Sequence, residues 1–511
     1  MKVIGYDVGT TGLKGCLFDI SKEDGVRYLA GAVGEYSLDI KPNGGAEQDP
    51  EDWWRAMCFT TKEVLASSNT KPEEIKAISF CSQVQTVVMI DGEGRALYPA
   101  FSVMDTRAHE QFRHYMQTGI QIEGLNLFKL LKSLKATGAV SASVKDPIWK
   151  YHWIRENEPE VFAKTFKWID AKEYLTRKAT GKLLASRDVA GLTFVYDVKN
   201  RKWSEKLCKT FDIDMGKLPE VCESTDTVGG LLPERAKELG LSEGIPVVSG
   251  GSDISLCQIG AGCLEIGDVN VYSGTSGWVC TTVDKLHLDL KNIIGSIVGA
   301  DPGTYNYIAE SETSGKCFEW AKERLSQTPI ATYEEMIDYI RDTPAGSNGL
   351  LFAPWMHGNR CPFEDSNARG MLFNIDVSTT GRDIGKAVIE GVCMHMRWML
   401  EATESFAKTN PVVRFTGGTA LSEYIAQVLA DVLGRDVETV ENPRQVGAMG
   451  AAALIAVNFG IISDIKEIKS LIRVEATFKP NMENHAVYDR IFPEFCKLHS
   501  RNKDGYRALN S

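Results

Sequence analysis

The chain has 511 residues, of which 57 are Lys or Arg and 68 are Asp or Glu, giving a formal net charge of −11. With 43% hydrophobic and 24% charged residues it has the composition of a folded protein of about two or three domains, which excludes a disordered chain. The acidic surplus excludes nucleic acid as a partner, and no apolar run reaches the ~18 residues of a membrane span.

The first residues are no secretory signal, because Asp7 interrupts the apolar run and no small-residue cleavage site follows. Val3, Ile4 and Tyr6, then Gly9-Thr10-Thr11-Gly12, then Leu13, Cys16, Leu17 and Phe18 predict a strand, a glycine-threonine turn and a second strand. Asp49-Pro50-Glu51-Asp52 predicts a helix start, with Asp49 as N-cap, Pro50 at the first helical position and acids in the first turn. Strands are expected over Ile75 to Phe80 and Thr86 to Ile90. After a turn-rich stretch, Ile245 to Ser249 is a further short apolar run, so the boundary is drawn near Gly244, giving domains 1–244 and 245–511. About half a chain after the first, the hairpin device returns: Val269, Val271 and Tyr272 lead to Gly274-Thr275-Ser276-Gly277, then Trp278 and Val279. Two related halves, each with one Gly-Thr loop at a shared cleft, would account for the repetition. Val412 to Thr416 reads as a strand, Gly417-Gly418-Thr419 as a tight loop, and Leu421, Ile425, Val428, Leu429 and Val432 as a helical stripe ended by Gly434. A last helix is expected from about His485 to His499.

A strand that delivers Asp7 to a turn of two glycines and two threonines can turn N–H groups and hydroxyls toward a phosphate while the carboxylate holds hydrated Mg²⁺. An ordinary hairpin turn would look the same, but the second Gly-Thr-Ser-Gly loop favours a triphosphate site. Ser249-Gly250-Gly251-Ser252-Asp253 runs a strand into glycines and then one acid, the context of a general base. A turn capping the next helix is the plain alternative. The strand, Gly417-Gly418-Thr419 and helix succession would offer helix N-terminal N–H groups to a nucleotide. Gln83-Val84-Gln85-Thr86 and Met104-Asp105-Thr106-Arg107 carry the amide and carboxylate groups that vicinal hydroxyls need. Competing motifs fail. Ser314-Gly315-Lys316-Cys317 has Glu310 and Cys317 where a Walker A loop needs Gly and Ser or Thr. No GxSxG elbow occurs, and the Gly260-Ala261-Gly262 run has Glu265 in the last glycine position. The eight histidines form no cluster with the twelve cysteines, which argues against structural zinc and, with no export signal, for a reducing cytoplasm.

Taken in order, these residues resemble the FGGY family of carbohydrate kinases, and within it the xylulokinases. The resemblance covers nearly the whole chain. Gly5 to Lys14 resembles the first phosphate loop, Glu47-Gln48-Asp49-Pro50-Glu51-Asp52-Trp53-Trp54 the segment after it, and Pro147 to Asn157 the first family signature. Gly250 to Asp253 is similar to the catalytic-base segment, Ser273 to Gly277 to the second phosphate loop, Ala368 to Glu390 to the second signature, and Thr416 to Ala420 with Ser422 to the adenosine segment. The resemblance implies an α/β fold of two duplicated actin/hexokinase-type (ribonuclease H-like) ATPase domains flanking a cleft that closes over ATP, Mg²⁺ and a sugar. By matched position Asp253 would be the base and Asp7 would organise the metal. Gly9, Thr10, Thr11, Lys14, Gly274 and Thr275 would face phosphates, Gly417, Gly418 and Ser422 the adenosine, and Gln83, Gln85, Asp105 and Asp253 the sugar. The expected partner is a small sugar, without nucleic acid or membrane, and a homodimer is left open.

Two departures concern the sugar. Xylulokinases read Gln-Met-His at Gln83-Val84-Gln85 and Trp at Val103, and glycerol kinases read Arg-Glu at Val84-Gln85. Loss of both charges argues against glycerol, while the missing histidine and aromatic leave a related ketopentose, tetrose or polyol open beside xylulose. The rival from another class is a non-catalytic actin-type ATPase switch, and a sugar-responsive regulator lacks any helix-turn-helix or basic segment before Asp7.

Overall fold

The computed structural model describes residues 1–324 and 330–510. They form two compact units: Met1–Leu264 with Ile297–Asn306 and Gln445–Ile472, and Glu265–Ser296 with Tyr307–Arg444 and Arg473–Ser511.

In the first unit the strands are β1 (Lys2–Val8), β2 (Gly12–Ser21), β3 (Gly25–Glu35), β4 (Ile75–Ser82), β5 (Thr227–Gly230), β6 (Pro246–Val248) and β7 (Gly251–Ser252). The sheet order is β5-β6-β4-β1-β2-β3, with β7 also paired to β4. β1 and β4 are central and apolar on both faces, as strands covered on both sides must be, whereas the edge strand β3 has a partly exposed pattern. Helix α1 (Pro50–Ser67) begins as its sequence predicts: Asp49 accepts the Glu51 N–H at 2.9 Å and Pro50 opens the first turn. Its buried face, Trp53, Trp54, Met57 and Val64, joins Ile4, Tyr6, Leu17, Ile78 and Phe80 in one core. Helices α2 (Pro147–Asn157), α3 (Ala171–Thr180) and α4 (Asp253–Gly260) complete the elements that carry the site.

The strands of the second sheet are β8 (Val269–Ser273), β9 (Gly277–Val283), β10 (Leu288–Asp289), β11 (Ile294–Val298), β12 (Tyr305–Ser311), β13 (Val413–Thr416), β14 (Val437–Val440) and β15 (Val474–Phe478). Their order is β10-β11-β12-β9-β8-β13-β14-β15. Helices α5 (Gly315–Arg324), α6 (Gly381–Glu404), α7 (Glu423–Leu433) and α8 (Met482–Asn510) belong to the second unit. α8 runs beyond both ends of the expected final helix.

Duplication is visible in the pairing. In the first unit β1 is antiparallel to β2 and parallel to β4, β4 is parallel to β6, and β6 is antiparallel to β5. In the second, β8 is antiparallel to β9 and parallel to β13, β13 is parallel to β14, and β14 is antiparallel to β15. Both sheets therefore share one α/β topology of the ribonuclease H-like kind. The compact units divide the chain past Gly244: β6 and β7 both pair with β4, so the chain from Pro246 through Asp253 stays with the first unit. Gln445–Ile472 also belongs there, because the helix Val446–Asn458 packs on β1 and β4. No helix among the described residues is long and apolar enough to cross a membrane.

Candidate active site

The first Gly-Thr turn is a hairpin whose carbonyls are all tied down. The Gly9 N–H donates to Gly12 O at 3.0 Å, and the Tyr36 N–H donates to Thr11 O at 3.2 Å. The Tyr36 hydroxyl donates to Gly9 O at 2.5 Å, and Gln48 Nε2 donates to Thr10 O at 2.7 Å. Because each peptide group is planar, fixing the Gly9 and Thr10 carbonyls fixes the Thr10 and Thr11 N–H groups in the opposite direction. Neither N–H finds an acceptor among the described residues, an arrangement that could receive an anion. One residue pair further from the turn, Asp7 faces Lys14 across the hairpin, and Lys14 Nζ lies 2.8 Å from Asp7 Oδ2. Lys14, expected at phosphate, therefore neutralises Asp7.

Strand register places the two acids. Asp7 pairs with Cys81 and Cys81 with Gly251; Val8 pairs with Ser82 and Ser82 with Ser252. The strands are parallel and about 4.8 Å apart, so Asp7 and Asp253 reach the same carboxyl end of the sheet with backbones roughly 10–12 Å apart, the usual location for ligands in open α/β sheets. Cys81 lies between them: burial, the Cys257 thiol and the Asp7 and Asp253 carboxylates together hold its thiol well above the ordinary range. Asp253 is the first residue of α4, and Ser252 caps that helix by accepting the Ser255 N–H. Asp253 is thus partly exposed at a helix start, and the capping role falls to its neighbour.

The expected sugar residues fall in the same unit. Gln83, at the end of β4, donates its N–H to Val8 O at 2.7 Å and its side-chain Nε2 to Gln48 Oε1 at 3.0 Å. Gln48 in turn donates to Thr10 O, so a chain of two amides joins Gln83 to the phosphate turn. The carbonyl at its end fixes the polarity. Thr10 O can only accept, so Gln48 must present its oxygen to Gln83, and Gln83 must keep its own Oε1 free. That buried oxygen has no hydrogen-bond partner among the described residues. Gln85 adopts a left-handed conformation, φ 60°. Its carbonyl is held at 3.0 Å by Lys150 Nζ of α2, which also donates to Ser102 O at 2.8 Å. Burial pulls the Lys150 ammonium down to about 8, against the pull of Asp105, Asp146 and Asp170.

Asp105 is wholly buried, and both of its oxygens are engaged within the chain. It accepts the Ala46 N–H at 2.8 Å and the Arg107 N–H at 3.1 Å, and Arg107 Nη2 lies 2.6 Å from it. Arg107 also reaches Glu47 Oε1 at 2.7 Å and stacks its guanidinium over Phe101, 4.4 Å from the ring centroid. Asp105 therefore fixes the segment that carries Gln48.

The second unit builds its Gly-Thr loop from close backbone approaches. Gly274 N–H donates to Ser276 O at 2.9 Å, and the Gly315 and Ser314 N–H groups donate to Gly274 O at 2.7 Å and Thr275 O at 3.0 Å. The residues dismissed as a Walker A motif thus start helix α5 and support the loop from behind. A Cβ on Gly315 would meet Gly274 O at 2.5 Å, and one on Gly417 would meet Ser273 O at 2.4 Å at a φ of +93°. Gly418 opens onto free space. The expected helix N-terminus at Gly417 to Thr419 is displaced: a 3₁₀ turn, Gly418–Leu421, intervenes, and α7 starts at Glu423. The Ser422 hydroxyl accepts the Ile425 N–H at 3.4 Å and caps α7, which leaves its O–H able to donate.

No group of three or more His, Cys, Asp or Glu side chains that could hold a metal occurs among the described residues. A single half-buried carboxylate, Asp7, suits Mg²⁺, which keeps most of its waters and takes further oxygens from phosphates. The contacts of Tyr36, Lys150 and Ser314 were not legible in the sequence, since each joins the site's segments to partners distant in sequence.

The family model described as FGGY family of carbohydrate kinases, N-terminal domain, matches residues 2–260, and that of the C-terminal domain matches residues 269–459. The chain is 28% identical over 510 residues to a xylulose kinase of Bacillus subtilis (strain 168), covering 100% of this chain and 99% of that one. Among solved structures it is similar to a gluconate kinase and to a ligand-bound xylulose kinase, both from Lactobacillus acidophilus. Each has a TM-score of 0.87 and 26% identity over 99% of both chains.

Proposed function

The chain belongs to the FGGY family of carbohydrate kinases, and on that premise we propose that this cytoplasmic enzyme transfers the γ-phosphoryl group of ATP to a terminal hydroxyl of a small ketose, xylulose or a related ketopentose. The observation that carries this reading is the register that brings Asp7, Cys81 and Gly251 into one row, with Asp253 just beyond it and the Thr10 and Thr11 N–H groups beside it. Asp253 accepts the proton of the attacking hydroxyl. The Thr10 and Thr11 N–H groups stabilise charge on the transferred phosphoryl oxygens, which a loose transition state spreads outward. Mg²⁺, held through Asp7, would neutralise the β- and γ-phosphate oxygens. Gln83, with an unpaired acceptor, suits a hydroxyl donor better than a sugar carbonyl.

Coupled ADP release over D-xylulose, D-ribulose, tetroses, polyols and D-gluconate tests the acceptor, gluconate entering because one structural relative is a gluconate kinase. Stimulation by a ketopentose above the others supports the reading, stimulation by gluconate or a polyol reassigns the substrate, and no stimulation across the panel favours an ATPase switch. Asp253→Asn should retain ATP binding while sugar-dependent turnover falls by about 10²–10⁴. Near-normal turnover would remove Asp253 as the base.

A further inference from the structure

The turn that delivers Asp253 is pinned at nearly every amide. The Ser249 N–H donates to Asp226 O at 2.8 Å and the Gly250 N–H to Ser224 O at 3.0 Å, both to backbone. The Ser252 N–H, immediately before Asp253, instead donates to a side chain: Asp188 Oδ2, at 2.7 Å. Asp188 sits on the short helix Arg187–Gly191 and is completely buried. Its other oxygen accepts the Ser224 hydroxyl at 3.4 Å.

Gly251 makes that approach possible. A Cβ there would lie 2.6 Å from Asp188 Oδ2, so any larger residue would push the carboxylate off the Ser252 N–H. The second glycine before the acid is thereby explained by packing. A buried cation accompanies the carboxylate. Lys172 of α3 lies 2.7 Å from Glu173, and although burial opposes its charge, Glu173, Cys222 and Asp188 outweigh that and hold it above its ordinary value. Asp188 thus accepts a short hydrogen bond from the peptide that precedes the acid, with the buried Lys172–Glu173 pair in its surroundings.

We propose that Asp188 is a positioning residue that orients Asp253 through the Ser252 N–H. The proposal rests on the reading of Asp253 as the base. Asp188 touches no substrate; it sets the direction in which Asp253 leaves the turn, and a shift of about 1 Å in a base costs on the order of 10²-fold in rate.

The test is a double-mutant cycle in the full-length protein, read as kcat and as the KM values for ATP and sugar. Asp188→Ala should lower kcat by about 10–100-fold with both KM values within about threefold. Asp188→Asn should stay within about threefold of the parent, because its amide oxygen still accepts the Ser252 N–H and its NH₂ can donate to Ser224 Oγ. In an Asp253→Asn background, Asp188→Ala should change kcat by less than about threefold, since residues acting as one unit are non-additive. Equal losses in both backgrounds, or an Asp188→Ala variant with the parent kcat, would overturn the proposal. Should Asp188→Ala fail to fold, Gly251→Ala, which displaces the same carboxylate, enters the same cycle with the same expected and refuting outcomes. Near-normal kcat in Asp253→Asn alone would remove the base and, separately from the cycle, the premise.

Discussion

Gln48→Met tests whether the phosphate turn depends on the amide chain behind it. Methionine matches glutamine in length and shape but neither donates nor accepts strongly, so the change removes two hydrogen bonds, 2.7 Å to Thr10 O and 3.0 Å from Gln83 Nε2, without opening a large cavity. Thr10 is half-exposed and water can replace its donor, placing that loss near the low end of the ~1–3 kcal/mol range for an orphaned polar group. Gln83 is 4% exposed, so its amide bears more of the cost. The sum is roughly 2–3 kcal/mol of stability, a substantial share of the 5–15 kcal/mol of a typical domain. On the ligand side, freeing the Thr10 carbonyl lets the Thr11 N–H turn away, and loss of one well-aligned donor worth about 1.4 kcal/mol weakens ATP about tenfold. Calorimetric titration with ATP and a melting curve measure the two effects. ATP affinity within about twofold of the parent in a folded Gln48→Met protein would refute the view that pinned carbonyls orient the turn.

Two further changes probe the surroundings. Gly447 lies in the helix Val446–Asn458, and a Cβ there would come 2.8 Å from Cys81 Sγ and 3.3 Å from Asp7 Cγ. Gly447→Ala should therefore raise the Mg²⁺ requirement and lower kcat, although alanine favours helices by about 1 kcal/mol. Adding Cys81→Ala should restore both, and a double variant no better than the single one would exclude the clash. Asp170 is pushed up from 3.8 to about 7 by burial, with Glu173 adding to the rise and Thr86, Ala171 and Lys150 opposing it. Between those two values the folded state holds a proton that the unfolded chain has lost, so this group makes stability fall as pH rises from about 4 to about 7. Asp170→Asn should flatten that slope in urea midpoints taken at pH 5 and pH 8, and parallel profiles for variant and parent would contradict it.

What was legible in the sequence is local. The two hairpins, the Asp49 cap of α1 and the close of α7 at Gly434 follow from residues within a few positions of each other. The parallel pairing of β7 with β4 joins residues far apart in the chain, so nothing local shows that Asp253 follows a strand paired with β4. Asp105 was read by chemical type and Ser422 by resemblance, and neither reveals that Asp105 is held by Arg107 or that Ser422 accepts the Ile425 N–H. Asp188 carried no local signal at all; only the shortage of space at Gly251 points to it.

The two hairpins also differ instructively. The second cross-strand pair from the turn is Asp7 with Lys14 in one copy and Tyr272 with Trp278 in the other, the latter stacked at 3.9 Å and 9°. Equivalent scaffold positions hold an ion pair in one case and a flat aromatic sandwich in the other. If Asp7 holds the metal as proposed, only the first copy has to keep a carboxylate hydrated at this position, and the second is stiff and neutral there.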